Sequence, residues 1–190
     1  MTKKLLVLAA LTLSVTRPAF ADPVVKFVPF VRDSFGHTPF TLDVQGASFD
    51  AGTPVIQWYD NGNANQQWIQ HDLRDGTFGF ENVNSRKCLK TNGTVGQQLF
   101  QDNCNIADPL EHWQVLVQQD GRYVLQNPQS KLVMDVNGQN YRAAGDPVDG
   151  FTYKGDESNW NHPPDPDAGD GGWSSEHLNQ QFSIYVLGQL

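Results

Sequence analysis

The sequence predicts an all-β domain in which one four-stranded unit occurs three times. An amide or acid, then any residue, then an aromatic residue recurs along the chain, and a short block that starts with an apolar residue precedes each copy. No window of a dozen residues shows a sustained helical period. The triplets are Gln66-Gln67-Trp68, Glu111-His112-Trp113 and Gln180-Gln181-Phe182, and the blocks are Leu42-Asp43-Val44, Leu89-Lys90-Thr91 and Met134-Asp135-Val136.

The spacing between the copies indicates a true repeat. Cys88 follows Trp68 by 20 positions, and Val133 follows Trp113 by the same 20 positions. Such intervals identify a supersecondary unit that cannot bury its apolar face alone. The units therefore have to associate around one common core.

The segments between the blocks are typical of strands and turns. Gln114–Val117 and Arg122–Leu125 alternate apolar and polar side chains, and Asp-Gly, Asn-Gly and Pro interrupt the alternation. A propeller needs four to eight blades, so three copies favour a closed β-trefoil. We predict repeats over approximately 24–71, 72–117 and 118–190, with a long insertion in the third.

Composition indicates one compact, acidic domain. The 190 residues carry a formal net charge of −8, a pI near 4.9 and 18% charged side chains. This length is enough to bury a sizeable core. Nucleic acid is not expected as a partner, because proteins that bind phosphate normally have a basic surface.

The first 21 residues read as a secretory signal peptide. Lys3 and Lys4 precede the apolar run Leu5–Val15, and Ala19-Phe20-Ala21 supplies an A-x-A cleavage pattern. The run is too short to span a bilayer, and a buried N-terminal helix is the alternative. We expect an exported mature domain over residues 22–190, extracellular or periplasmic, with no membrane span.

Cys88 and Cys104 are the two cysteines of the chain. In an oxidising compartment they are expected to form one disulfide, which stabilises a fold by about 3 kcal/mol for a short loop. A metal or nucleophilic role is disfavoured because neither Cys-x-x-Cys spacing nor a paired histidine accompanies them.

The Q-x-W triplets, the Leu42-Asp43-Val44 block and the stretch Gly52–Trp58 together resemble the ricin B-type lectin family. The resemblance implies a β-trefoil that binds glycans or glycoconjugates without catalysis or a cofactor, and galactose-type sugars are the expected ligands. It also implies that each site combines an acid, an aromatic residue about fifteen positions later, and polar residues before the Q-x-W aromatic. A carboxylate accepts hydroxyl hydrogens, and an aromatic face covers the C–H side of a pyranose.

By this resemblance the first unit retains a complete sugar site. Gln57 and Tyr59, next to Trp58, indicate a polar, exposed strand end, although a core role for Trp58 is the alternative. Ile56 replaces a glutamine that is frequent in the family, and Thr41 and Asp60 replace its cysteine pair. The expected sugar-binding residues are Asp43, Trp58, Asn61, Asn65 and Gln66.

The second unit departs from the family pattern. Lys90 replaces the acid and Asp102 replaces the aromatic, so this copy is expected to serve packing alone. Cys88 and Cys104 fall where family members form a disulfide.

The third unit is intermediate. Asp135 matches the acid, Asn179 and Gln180 match the amides, and Phe151 stands at the position of Trp58. Tyr153 or Trp160 are alternative stacking rings. The insertion from Tyr153 to His177 is rich in Gly, Pro and Asp and predicts a surface loop, in which Trp160 or Trp173 can extend the site. A calcium loop made of Asp165, Asp167, Asp170 and Glu176 is a weaker reading because these acids are out of EF-hand register.

Two other functions stay open at this point. Ricin-like units also serve as targeting subunits of secreted toxins, or as inhibitors that dock on a protein or enzyme partner. Catalysis is the weakest alternative because the histidines are scattered and Asp43 and Asp135 lie on different units.

Overall fold

The computed structural model describes residues 21–30, 40–118, 121–137, 143–153 and 178–189. Within these residues the structure has β-strands and single 3₁₀ turns but no α-helix. The predicted signal peptide, apart from Ala21, and most of the insertion, from 154 to 177, lie outside the described residues.

The strands divide into three units. The first contains β1 (Pro23–Pro29), β2 (Phe40–Val44), β3 (Val55–Tyr59) and β4 (Trp68–Asp72). The second contains β5 (Phe78–Asn82), β6 (Cys88–Lys90), the two-residue β7 (Gln97–Gln98), β8 (Phe100–Asp102) and β9 (Gln114–Val117). The third contains β10 (Tyr123–Gln126), β11 (Val133–Val136), β12 (Val148–Phe151) and β13 (Phe182–Gln189). The 3₁₀ turns span Gln45–Ala47, Ala64–Gln66, Pro109–Glu111 and Leu178–Gln180.

Two strands from each unit form a closed barrel. Antiparallel pairing runs from β13 through β1 and β4 to β5, and separately from β9 through β10 to β13. A bridge between Phe78 and Trp113 joins β5 to β9 and completes the ring. Closure leaves no open edge in the ring and confirms the predicted β-trefoil.

The other strands form three hairpins that cap one end of the barrel. Backbone hydrogen bonds link the hairpins: the Val55 amide donates to the Leu99 carbonyl (2.8 Å), and the Leu99 amide donates to the Val148 carbonyl (2.8 Å). These three residues belong to different units and are fully buried. The cap therefore meets around the pseudo-threefold axis.

The recurring aromatic residues lie in the core. Trp68, Trp113 and Phe182 are 0%, 1% and 0% exposed and share one cluster with the first residues of the three blocks. Burying an aromatic side chain of this size contributes more than most other core contacts. The repeat seen in the sequence is thus the packing unit of the fold.

Candidate functional site

The strongest candidate site in the first unit is built around Asp43 on β2. The Asp43 side chain is buried (3% exposed), and the Gln66 Nε2 donates to its Oδ2 at 2.8 Å. The same Gln66 amide donates to the Tyr59 carbonyl (2.8 Å), and the Asn65 Nδ2 donates to the Val44 carbonyl (3.2 Å). Both amides are therefore fixed, and they hold the carboxylate in one orientation.

Burial raises the pKa of the Asp43 carboxyl, and the hydrogen bonds from Gln66 and Asn65 oppose this rise. A buried carboxylate is costly unless hydrogen bonds compensate it. Asp43 is therefore an oriented, ionisable hydrogen-bond acceptor at a buried position. An apolar side chain there would carry a smaller desolvation penalty.

Trp58 lies on the same face of this hairpin as Asp43. Thr41 pairs with Trp58 and Asp43 pairs with Ile56 in the antiparallel register, so alternation directs these four side chains to one face. Trp58 is 41% exposed, and a Cβ built on Gly145 would lie 3.6 Å from its ring. One part of the indole packs on the third unit while another part stays open to solvent.

The end of strand β3 exposes fewer polar side chains than the sequence predicted. Tyr59 is exposed, but Gln57 is fully buried, so the interpretation of Gln57 as an exposed polar residue is wrong. Its Nε2 donates to the Ala143 carbonyl (2.9 Å) and contacts Asp146 Oδ2 (3.2 Å). Gln57 thus ties the first hairpin to the third unit.

Asn61 shapes the loop beside this site. Its backbone amide donates to the Gln66 Oε1 (3.0 Å), and its exposed side chain accepts from the Asn63 amide (2.9 Å). The Asn61 side chain therefore closes an Asx turn. Within the described residues, no hydrogen bond joins it to the Asp43 carboxylate.

The third unit repeats the acid–amide geometry. Asp135 on β11 is 2% exposed and accepts from the Asn179 Nδ2 at Oδ1 (2.7 Å) and from the Gln180 Nε2 at Oδ2 (2.7 Å). The Gln180 amide also donates to the Thr152 carbonyl (2.9 Å), as Gln66 does to that of Tyr59.

Two neighbours distinguish the third unit from the first. Phe151 pairs with Val133 as Trp58 pairs with Thr41, but the Phe151 ring is partly buried. Asp149, which is 1% exposed, pairs with Asp135, whereas Ile56 pairs with Asp43. The sequence did not point to Asp149. Because Asp149 lies two residues before Phe151 on one strand, both side chains are directed to the same face, and this spacing is the signal that identifies it.

In the second unit, an ion-pair network replaces this arrangement. Lys90 Nζ lies 3.0 Å from Asp102 Oδ2, 2.9 Å from Asp108 Oδ2 and 3.9 Å from Glu111 Oε1. Asp102 pairs with Cys88 across the hairpin, the register that Trp58 and Thr41 have in the first unit. The acid, the aromatic residue and the glutamine of the first unit have become Lys90, Asp102 and Glu111.

The pKa shifts follow from these contacts. Hydrogen bonds to Asp108 and Asp102 raise the pKa of Lys90 against the effect of burial, and Lys90 lowers the pKa of both aspartates. The sequence predicted packing alone for this unit, with Lys90 and Asp102 as losses; it placed Glu111 in the recurring triplet but not in an ion pair, and it did not point to Asp108. The second unit has Lys90 where the first has Asp43, and Glu111 where the first has Gln66. A new cation and a new acid at positions that contact each other in the first unit are the signal that identifies Glu111.

The predicted disulfide is present between Cys88 and Cys104, with an S–S distance of 2.00 Å and 16 positions between them. Among the described residues, no group of three or more His, Cys, Asp or Glu side chains is arranged to hold a metal ion. Trp160, Trp173 and the four acids of the calcium reading lie outside those residues. In the described part of the chain, no helix has the length and apolarity needed to cross a membrane.

Comparison with known proteins places this geometry in a family. Residues 36–95 and 64–151 match the family described as ricin-type beta-trefoil lectin domain-like. The "Probable lipoprotein EnvE" of Salmonella typhimurium is 32% identical over 85 residues, which are 43% of this chain and 46% of that protein. The match thus spans about half the length of this curated relative.

Solved structures share the fold. The designed threefold-symmetric protein ThreeFoil superposes with a TM-score of 0.66 at 26% identity, over 86% of this chain and 99% of ThreeFoil. The Macrolepiota procera ricin B-like lectin, solved in complex with lactose, superposes with a TM-score of 0.59 at 18% identity, over 90% of this chain and 99% of the lectin. At this identity the second likeness shows the fold alone.

Proposed function

The chain belongs to the ricin-type beta-trefoil lectin domain-like family, and we propose that it is an exported, non-catalytic protein that binds galactose-type or related sugars at its first unit. The observation that carries this proposal is the buried Asp43 carboxylate, fixed by Gln66 and Asn65 on the same face as the exposed part of Trp58. Lactose is the first sugar to test, because the Macrolepiota procera lectin with the same fold was solved in complex with it.

The proposed roles follow from the chemistry of a sugar. The Asp43 carboxylate accepts hydrogen bonds from two neighbouring hydroxyls, and the exposed indole of Trp58 packs against the C–H face of the ring. Gln66 and Asn65 hold the acid, while Asn61 fixes the loop. Because the amides are already bonded, little side-chain ordering is left to occur on binding.

The third unit is proposed as a second, weaker site. Asp135, Asn179 and Gln180 reproduce the acid and its amides, but Phe151 presents less exposed ring than Trp58. Asp149 also brings a second carboxylate next to the first. Two sites on one chain would raise the avidity for a surface that displays many glycans, even when each site binds weakly.

Calorimetric titration with lactose and with xylan fragments tests the proposal. We expect saturable lactose binding, and Asp43→Ala should weaken it by roughly tenfold to a hundredfold, since a hydrogen bond to a charged group contributes about 1.5–3 kcal/mol. Trp58→Ala should weaken it by a similar factor, because burial of a large apolar side chain also contributes about 1.5–3 kcal/mol. Phe49→Ala is the matched control, because Phe49 is an exposed aromatic residue (64%) on the loop between β2 and β3.

Absence of sugar binding by the wild type, or binding that the Asp43→Ala, Trp58→Ala double variant retains, contradicts the proposal. A protein partner that stays bound in excess lactose would instead support the targeting or inhibitor alternative. Release of free sugar by the pure protein would show that it is an enzyme.

A further inference from the structure

A segment of the third unit, residues 143–146 between β11 and β12, lies against the ring of Trp58 in the first unit. A Cβ built on Gly145 would lie 3.6 Å from Trp58 Cζ3, an ordinary van der Waals distance. Part of the indole stays open to solvent, since Trp58 is 41% exposed. The third unit therefore supports the ring that is proposed to stack on a sugar in the first unit.

Gln57, which precedes Trp58 on β3, holds this segment with its backbone and its side chain. Its amide donates to the Asp146 carbonyl (2.9 Å), and its carbonyl accepts from the Gly145 amide (2.8 Å). Its Nε2 donates to the Ala143 carbonyl (2.9 Å) and to Asp146 Oδ2 (3.2 Å), and the residue is fully buried. Adjacent side chains on a strand point to opposite faces, so the effect of Gln57 on the Trp58 ring passes through the segment.

The second unit contains an equivalent clamp at Gln101 on β8. Gln101 is fully buried, and its amide donates to the Thr53 carbonyl (2.9 Å). Its carbonyl accepts from the Gly52 amide (2.7 Å), and its Nε2 donates to the Asp50 carbonyl (2.8 Å). The residue after Gln101 is Asp102, so this clamp supports no aromatic ring. Contact with a ring therefore distinguishes the clamp at Gln57.

The third unit shows that the trefoil closes without a glutamine at this position. Gly150 is the equivalent residue, and its carbonyl accepts from the Gly96 amide (2.8 Å), so the backbone part of the clamp recurs. A Cβ on Gly150 would lie 3.2 Å from both Leu132 Cδ1 and Thr91 Oγ1, which is closer than ordinary contact. These two side chains therefore take the space beside Gly150, and packing replaces the glutamine there.

We infer that Gln57 is a positioning residue of the first sugar site: by holding residues 143–146 against the indole, it fixes the ring of Trp58 in the orientation that stacks on a pyranose. The inference rests on the proposed function for its ligand. A ring that is fixed before binding loses less side-chain freedom when the sugar binds, which strengthens binding. The first site is then composite, because one unit supplies the acid and the ring and another unit supports the ring.

Calorimetric titration of Gln57→Met and Gln101→Met with lactose tests the inference in the full chain. Methionine is also unbranched but cannot donate a hydrogen bond, so each variant removes one side-chain clamp. We expect Gln57→Met to weaken lactose binding by about threefold to tenfold, the effect of losing a typical hydrogen bond. Gln101→Met should leave the affinity within about twofold of the wild type, because its clamp lies away from the ring.

The indole Nε1–H resonance of Trp58 gives a second measurement, which does not need a ligand. This resonance can be assigned with Trp58→Phe. It should shift in Gln57→Met and stay in place in Gln101→Met, because only the first variant releases the segment that lies against the ring. A clamp that serves the fold alone would give the two variants the same effect.

Gly145→Ala and Gly52→Ala form a second matched pair. Both glycines have a positive φ (+96° and +79°), so a Cβ strains either turn. The Cβ at Gly145 would meet Trp58, whereas a Cβ at Gly52 would meet no atom of the described residues within 4 Å. Gly145→Ala should shift the Trp58 resonance and weaken lactose binding, and Gly52→Ala should do neither. If Gln57→Met does not fold, this pair decides the question.

The inference is overturned if Gln57→Met binds lactose as the wild type does, or if Gln101→Met weakens binding equally. Absence of lactose binding by the wild type contradicts the proposed function instead. The Trp58 resonance then still tests the role of Gln57: a shift in Gln57→Met alone supports it, and an unchanged resonance overturns it.

Discussion

Asp43 and Lys90 occupy equivalent positions in two hairpins whose strands pair in the same register, yet amides surround Asp43 and carboxylates surround Lys90. The first hairpin keeps a buried acceptor with an exposed ring beside it. In the second hairpin the charges satisfy one another, and a disulfide joins the hairpin to the loop that follows it. The same hairpin backbone therefore carries a buried carboxylate beside an exposed ring in one unit and a network of ion pairs in the other.

Loss of the disulfide should have the largest effect on stability. The Cys88→Ser, Cys104→Ser double variant removes a bridge that closes 16 positions, and we expect the free energy of unfolding to fall by about 3 kcal/mol. Urea unfolding of the variant and of the reduced wild type measures this loss. Equal stability of the oxidised and reduced proteins would show that the second hairpin does not depend on the bridge.

Lys90→Met should have the next largest effect, because it leaves three carboxylates without their shared cation. Breaking a fully buried ion pair costs about 3–5 kcal/mol, but this network is partly solvated, so we expect a loss of about 1–2 kcal/mol. Lys87→Met is the matched control, since Lys87 contacts Asn103 at the surface. An unfolding free energy that Lys90→Met leaves unchanged would show that the network only fills space.

Grafting the first hairpin's side chains onto the second tests whether three positions suffice. In a background of Asp43→Ala and Asp135→Ala, we expect Lys90→Asp, Asp102→Trp and Glu111→Gln together to bind lactose at least tenfold more tightly than the background. The variant without Asp102→Trp should bind no more tightly than the background, because it lacks the aromatic face. A folded triple graft that fails to bind would mean that the loops, and not these side chains, define the site.

The two hairpins should also respond to pH with opposite sign, which is the smallest effect. Burial raises the pKa of the Asp43 carboxyl above 3.8 in the folded protein. The contribution of Asp43 to the free energy of unfolding therefore falls as pH rises from 3.8 through the pKa of the folded state. The pKa values of Asp102 and Asp108 are lowered, so their contribution is present above 3.8 and is lost as pH falls through the native values.

Unfolding of variants between pH 3 and pH 7 measures this difference. Relative to the wild type, Asp43→Asn should become more stable as pH rises above 3.8. The loss of unfolding free energy caused by Lys90→Met should shrink as pH falls below 3.8, because Asp102 and Asp108 become protonated and no longer form ion pairs with Lys90. Parallel trends for the two variants would contradict the contrast between the hairpins.

The sequence was sufficient for the fold because the repeat is a packing requirement. Trp68, Trp113 and Phe182 recur since each unit must place an aromatic residue in the shared core, and the structure buries all three. The acid and its amides were also predictable, because Asp43 and Gln66 lie in the recurring blocks themselves.

Contacts between units were not predictable in the same way. Gln57 is buried by Ala143 and Asp146 of the third unit, and a polar residue beside exposed Trp58 gives no sign of that contact. Asp108 reaches Lys90 from the N-cap of the Pro109–Glu111 turn, where the first unit has Asn63, and this position lies outside the recurring blocks.

A crystal soaked with galactose and with N-acetylgalactosamine tests the central claim most directly. The account predicts a sugar at the first unit, with hydroxyls on the Asp43 carboxylate and its C–H face on Trp58, and no sugar at Lys90. A sugar bound beside Lys90, or an empty first unit in a crystal where that surface is accessible, would contradict the account.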